Sequence, residues 1–302
     1  MQKLSDLITG STKAKVLMNE PLSKHTTFKV GGPADLLIIP SDAGDIEKAV
    51  KIIRKERVPL FVMGNGSNLL ISDDGIRGAV IKLAGSMNAI TIRNNIVTAG
   101  AGTYLKKLIY TCAENGLAGL ELFIGIPAAL GGALAMNLGC WSDNISRVVK
   151  SVTVLTAEGK IKKLPRIDCG FSYRSSKLLK DGLIITEAEL ELKKDAPADI
   201  SARQEQALKM KAVNQPVGYP SAGCVFKNPY PEIAGKLIEK AGLKGETMNG
   251  AQVSEVHGNF IINTGGATAS DIVNLIYRIK GLVQQKFNIE LETEIKMVGF
   301  EQ

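Results

Sequence analysis

Apolar positions along the first 84 residues come in two rhythms. Residues 36–39, 58–63 and 78–81 are short unbroken apolar runs bounded by Gly, Pro, Asp and Ser, the pattern of strands, and 58–63 reads as buried. Between the first two runs, Ile46, Ala49, Val50 and Ile53 recur at helical spacing behind Asp42, a residue suited to capping a helix N-terminus. A short amphipathic segment comes first, and Gly31-Gly32-Pro33 turns the chain into the first strand. The region reads as an α/β unit.

From residue 85 the rhythm changes to hairpins. Residues 90–93 and 96–99 flank Asn94-Asn95, while 152–155 and 160–161 flank Glu158-Gly159, both dipeptides suited to tight turns. A strand over 183–186 completes a mixed, mostly antiparallel region that ends at the polar break 193–197. Within it, Leu105, Leu108, Ile109 and Cys112 mark one face of a helix that Gly116 stops. Strand, Gly100-Ala101-Gly102 and helix together imitate a dinucleotide-binding turn. Leu105, however, stands where the third glycine belongs and would crowd the helix against the strand, which argues against that reading.

A third region holds a helix over 199–213, a proline-bounded segment over 220–229, a short helix near 233–240 and a strand over 260–263. It ends with an amphipathic helix carrying Ile272, Leu275, Ile276, Ile279 and Val283, then a closing strand over 291–298. Three domains are predicted: 1–84, joined by the tail 297–302; 85–197; and 198–296.

Two stretches of small residues break the apolar pattern. Gly64-Asn65-Gly66-Ser67-Asn68-Leu69-Leu70 lies between strands, with no helix after it and no Gly-Lys-Ser/Thr ending. Its glycines tolerate positive φ, so its N–H groups can gather into a concave nest for pyrophosphate oxygens; the residues leave an ordinary loop equally open. The second stretch, 119–137, is nearly uncharged and dense in Gly and Ala. Each glycine costs a helix about 1 kcal/mol relative to alanine, which favours close backbone approach to something large and flat over plain helix packing.

Composition narrows the function. No apolar run among the 302 residues reaches the roughly 20 of a membrane span, and the N-terminus does not open as a signal peptide, so a cytoplasmic protein is expected. Cys112, Cys140, Cys169 and Cys224 are widely spaced, and His25 and His257 are the only histidines; neither a disulfide framework nor a metal centre is expected. With 5% aromatic residues, the formal charge of +7 fits a small anionic ligand such as a nucleotide better than a nucleic acid.

Three segments then carry a resemblance: Phe171-Ser172-Tyr173-Arg174-Ser175-Ser176-Lys177, Pro220-Ser221-Ala222-Gly223-Cys224-Val225-Phe226-Lys227-Asn228-Pro229, and Leu291-Glu292-Thr293-Glu294-Ile295. They resemble the catalytic segments of bacterial UDP-N-acetylenolpyruvoylglucosamine reductases. Residues 26–35, 64–70, 119–137 and 253–260 resemble further segments of that family in the same order. The short interval from Arg174 to Cys224 matches the branch without an extra substrate-covering loop.

The resemblance implies an α+β flavoenzyme of three domains, with a two-part FAD-binding region of the vanillyl-alcohol-oxidase-like (PCMH) type and a C-terminal α+β substrate domain. It implies non-covalent FAD, its pyrophosphate on Gly64, Asn65, Gly66, Ser67, Asn68 and Leu69, and its ring along Gly125, Ile126, Pro127, Gly131, Gly132 and Asn137. NADPH is the implied co-substrate. Hydride from the flavin N5 reaches C3 of the enolpyruvyl group of UDP-N-acetylenolpyruvoylglucosamine, and a proton reaches C2.

Charge building at C2 and its carboxylate needs a fixed cation, a role implied for Arg174, with Glu294 protonated or orienting it. The proton is assigned to Cys224, which stands where many members have serine; a thiol of ordinary pKa about 8.5 is a far better acid than an alcohol. Lesser roles follow for Tyr173 (stacking), Lys227 (diphosphate) and Asn228 (uridine). Trp141 stands where tyrosine is common. No metal, nucleic acid or membrane insertion is implied, and a monomer is favoured. The rival readings are an oxidase or dehydrogenase of an alcohol or hydroxy acid on the same fold, and a non-catalytic nucleotide-binding protein.

Overall fold

The computed structural model describes residues 1–141, 143–156 and 158–300, and the chain divides into two compact units. The first comprises Met1–Met18, Leu36–Asn65 and Gly78–Lys209; the second comprises Asn19–Asp35, Gly66–Arg77 and Met210–Gln302.

In the first unit, helices Gln2–Ser11 and Ala43–Lys55 bury one apolar face each. Leu4 and Ile8 from one, and Ile46, Ala49, Val50 and Ile53 from the other, join Leu36, Ile38, Ala79 and Ile81 in a single core. Asp42 caps the second helix as expected, its carboxylate accepting the Asp45 N–H at 2.9 Å. The sheet order is Lys15–Pro21, Pro33–Ile39, Ile76–Lys82, Leu60–Met63, and the last two strands run parallel with Phe61 opposite Val80. The strand expected over 58–63 is therefore an edge strand. Only Met63 is buried, because one side of the strand has no neighbour.

The second sheet of this unit is wholly antiparallel, in the order Ile161–Pro165, Val149–Leu155, Ile184–Glu191, Ile96–Gly100, Ile90–Arg93. Asn94 takes φ +58° and Gly159 φ +77° at the two hairpin turns. Helix Leu105–Glu114 lays Leu105, Leu108, Ile109 and Cys112 into the same core. Lys193–Lys194, expected as part of a break, forms a short exposed strand on Leu117–Ala118. Backbone pairing there outweighs the polarity of the side chains, which stay in solvent.

The second unit is built on an antiparallel sheet in the order Ser221–Cys224, Phe260–Asn263, Ala251–Val253, Thr247–Met248. Helix Ala269–Phe287 buries Ile272, Leu275, Ile276, Ile279 and Val283 with Leu237 and Ile238 of helix Ala234–Lys240. Its N-terminus carries a full capping box between Thr268 and Asp271. The closing strand expected over 291–298 shrinks to Lys296–Val298, which pairs in parallel with Leu69–Ile71. Residues 291–295 divide their peptide groups between two partners, 225–227 and Asn68, so no unbroken ladder forms.

The glycines that imitate a dinucleotide turn have a packing explanation. A methyl group added at Gly102 would lie 1.7 Å from the Ser86 carbonyl oxygen and 2.0 Å from that of Leu83. Backbone cannot yield like a side chain tip, so Gly102→Ala should cost about 1–3 kcal/mol and lower the melting temperature by several degrees. An unchanged melting curve would show that these two turns do not press on one another.

Candidate functional site

In the first unit the Gly64 end of the glycine loop faces the second small-residue stretch. The Asn65 Nδ2 donates to the Pro127 carbonyl at 2.6 Å, and a methyl group at Gly64 would sit 3.7 Å from Ala129 Cβ and from Gly132 Cα and N. Residues 128–131 are held by the loop before helix Leu105–Glu114: Leu105 N–H donates to Ala128 O, Leu130 N–H to Thr103 O and Gly131 N–H to Ala101 O, all at 2.8–2.9 Å.

The stretch is not extended throughout, because Leu130–Ala135 is a helix. Gly131 is spent on packing, since a methyl group there would meet Ala101 Cβ at 3.0 Å. Gly132, by contrast, is exposed, and nothing lies within 4 Å of where its Cβ would be. The two adjacent glycines thus answer to different causes, helix packing at one and open surface at the other. Gly125 takes φ +81° ahead of Ile126 and Pro127.

Asn137 ends this stretch at φ +44° with both ends of its amide engaged. Its Nδ2 donates to Ser172 O at 2.9 Å and its Oδ1 accepts the Ser146 N–H at 3.3 Å. Its side chain therefore anchors the Tyr173-Arg174 turn, a role for which the sequence holds no local signal. Ser172 and Ser175 exchange backbone hydrogen bonds of 2.9 and 3.2 Å, which puts Tyr173 and Arg174 at the tip. Arg174 is held at φ +52°, a conformation costly for a residue with a Cβ and characteristic of constrained functional positions. Its Nη1 donates to Gly139 O at 2.9 Å and its Cζ lies 5.6 Å from the Tyr173 ring centre. Tyr173 itself is 59% exposed.

In the second unit, Gly66 takes φ +64° and is buried, with Ser67, Asn68 and Leu69 half-buried beyond it. Cys224 ends strand Ser221–Cys224, half-buried and opposite Phe260. The next residue connects it to Glu294, whose N–H donates to Val225 O at 2.7 Å. The Glu294 carbonyl accepts Asn68 Nδ2 at 3.1 Å. Within this unit, then, Asn68, Cys224 and Glu294 come together on neighbouring strips of backbone.

Lys227 is ion-paired with Glu292, and Asn228 Oδ1 caps helix Ala234–Lys240 through the Ala234 N–H at 3.1 Å. Both assigned substrate residues thus have local structural partners. Asn259, 3% exposed, lies in the segment 253–260 and has no role implied by the sequence. Its side chain accepts the Phe226 N–H at 2.9 Å and donates to Phe226 O at 2.8 Å, while its carbonyl accepts the Val225 N–H at 2.8 Å. An amide flanked by His257 and an apolar strand is the one signal the sequence offers for it.

Burial separates the cysteines. The Cys112 thiol is pushed up to about 12 by burial and by the nearby Glu121 carboxylate, and Cys169 to about 11 by burial and by Asp168. Cys140 and Cys224 are only half-buried, and no disulfide forms among the described residues. No group of three or more His, Cys, Asp and Glu among the described residues could hold a metal, and no helix among them is long and apolar enough to cross a membrane.

Residues 215–298 match the family model for the UDP-N-acetylenolpyruvoylglucosamine reductase C-terminal domain, and residues 34–165 match that for an FAD binding domain. The chain is 41% identical over 302 residues, all of both chains, to the UDP-N-acetylenolpyruvoylglucosamine reductase of Bacillus pumilus strain SAFR-032. It is similar to the crystal structure of the UDP-N-acetylenolpyruvylglucosamine reductase of Thermus caldophilus, with a TM-score of 0.81 and 36% identity, covering 95% of this chain and 99% of that one. An alkyldihydroxyacetonephosphate synthase shares the fold alone, at TM-score 0.50 and 18% identity over 64% of this chain and 41% of its own.

The residues present fit an FAD. Gly64 adds no side chain where the loop meets Ala129 and Gly132, and Gly132 leaves open surface for a flat ring. Thr103 Oγ1 is fully buried without a partner among the described residues, beside the helix Leu130–Ala135. A buried hydroxyl of this kind ordinarily has a hydrogen-bond partner, which a bound polar ligand can supply. Gly132→Ala should raise the stability of the flavin-free protein, by up to about 1 kcal/mol, while weakening FAD retention. Unchanged FAD affinity would remove the ring from this surface.

Burial holds the His257 imidazole below its usual pKa, and its Nδ1 accepts the Asn259 N–H at 3.1 Å, which makes Nε2 the protonated nitrogen of the neutral ring. The unfolded chain therefore takes up this proton first. The contribution is fully present above about pH 6.5 and is lost as pH falls through the folded-state value. Urea midpoints should decline from pH 7 to pH 5.5, and His257→Gln should flatten that decline. Equal slopes in both proteins would contradict it.

Proposed function

Since the chain belongs to the UDP-N-acetylenolpyruvoylglucosamine reductase family and is an FAD-dependent α+β oxidoreductase with a PCMH-type FAD domain, we propose that it reduces the enolpyruvyl group of UDP-N-acetylenolpyruvoylglucosamine with NADPH. The product is UDP-N-acetylmuramate, a peptidoglycan precursor. The reading takes the protein as a cytoplasmic monomer, with residues 1–84, 297–302 and 85–197 serving FAD and 198–296 serving the sugar nucleotide. The observation that carries it is the direct backbone link between the Cys224 strand and Glu294, at 2.7 Å between Glu294 N–H and Val225 O.

Gly64, Asn65, Gly66, Ser67, Asn68 and Leu69 would hold the FAD pyrophosphate, and Gly125, Ile126, Pro127, Gly131, Gly132 and Asn137 would line its ring. When bound, non-covalently, FAD supplies the two-electron chemistry that takes hydride from NADPH and delivers it to C3 of the double bond. Reduction at C3 leaves negative charge at C2 and its carboxylate. The Arg174 guanidinium, prefixed by its turn and by Gly139 O, meets that charge without reorganising. The Cys224 thiol gives its proton to C2. Glu294 is either protonated or orients Arg174, since a second bare negative charge there would oppose the reaction. Tyr173 stacks on the ligand. Lys227 exchanges Glu292 for the diphosphate, a change of low cost for an exposed pair, and Asn228 binds the uridine.

An anaerobic spectroscopic assay tests the reading. NADPH should bleach the flavin, and the enolpyruvyl sugar nucleotide should restore it. In Cys224→Ala the bleaching should persist at its normal rate while the recovery slows by about 10²–10⁴-fold. Full-speed recovery in Cys224→Ala would exclude the thiol as the proton donor, and absence of recovery in the unaltered protein would exclude the substrate.

A further inference from the structure

The Asn68 amide is aimed at the main chain of Glu294. Its Nδ2 donates to Glu294 O at 3.1 Å, and the main-chain carbonyl of Asn68 accepts the Lys296 N–H at 2.9 Å. Immediately after it, Leu69, Leu70 and Ile71 pair in parallel with Lys296, Met297 and Val298. On the other side, the Glu294 N–H is held by Val225 O. Both peptide groups of Glu294 are therefore taken, one by the strip that carries Cys224 and one by Asn68.

We infer that Asn68 is a positioning residue that acts through Glu294, by fixing the backbone from which this carboxyl departs; the inference rests on the role given to Glu294 above. A nest residue that only bound pyrophosphate would need its own N–H, not a side-chain bond to a carbonyl 226 residues away in sequence. The amide is chemically specific: Nδ2–H donates to the Glu294 carbonyl, whereas a carboxylate of the same shape would set acceptor against acceptor. Neighbouring Ser67 makes no comparable contact in the described structure, so the connection belongs to position 68 rather than to the loop as a whole.

The two half-reactions of the holoenzyme separate this role from cofactor binding. At saturating FAD, Asn68→Ala should slow flavin recovery by the sugar nucleotide at least tenfold, and Asn68→Asp more, a loss several times larger than any change in the rate of bleaching by NADPH. In a Glu294→Gln background, Asn68→Ala should change recovery by less than about twofold, because the group it positions is already disabled. A weakened FAD affinity with recovery intact, an equal loss in both half-reactions, or multiplicative effects of the two substitutions would each overturn the inference. Should Asn68→Ala fail to yield folded holoenzyme, Asn68→Ser, whose hydroxyl is one bond too short to reach the Glu294 carbonyl, takes its place, and the same results support or overturn the inference. If the unaltered protein is not reoxidised by the sugar nucleotide, the parent reading has failed and this one with it, an outcome distinct from all the others.

Discussion

The hydrogen bond from Glu294 N–H to Val225 O is the contact on which the placing of Cys224 and Glu294 in the second unit depends. It joins two segments distant in sequence, one ending the strand that carries the thiol and the other carrying the carboxyl. Each segment is secured independently. Asn259 pins Phe226 by both ends of its side-chain amide and Val225 by its carbonyl, and Asn68 holds Glu294 from the opposite side. Paired backbone leaves little freedom for either side chain's point of departure, so a fold can fix two side chains relative to each other before any ligand arrives.

The first unit achieves the same end by strain and small residues. Arg174 is kept at positive φ by a turn whose flanks exchange hydrogen bonds and whose base is tied to Asn137. A methyl group at Gly139 would come 2.8 Å from Arg174 Nη1 and would push the guanidinium from its present position. The Gly139 carbonyl and the Tyr173 ring thus help to set the guanidinium in place.

Much of this was legible in the sequence, and the reasons differ by element. A helix announced itself where an apolar stripe met a cap, as at Asp42, since both signals are local. The hairpins at Asn94 and Gly159 were legible for the same reason. What the sequence could not reveal was partnership across distance. Residues 58–63 looked buried because apolar content does not report edge position, and 291–298 looked like one strand because nothing local says that its peptide groups are shared between residues 225–227 and Asn68. At the site, the glycine stretches were visible as anomalies of composition, but the different duties of Gly131 and Gly132 needed their neighbours. Asn137, Asn68 and Asn259 were visible only as amides; their engagement with Ser172, Glu294 and Phe226 emerges from tertiary structure.

Hydrogen exchange in the ligand-free protein tests the central claim most directly. If the segments bearing Cys224 and Glu294 are fixed before any ligand binds, the amides of Val225, Phe226 and Glu294 will exchange no faster than those of the core strand Phe260–Asn263. Exchange of these three amides at the rate of unstructured peptide would contradict the account.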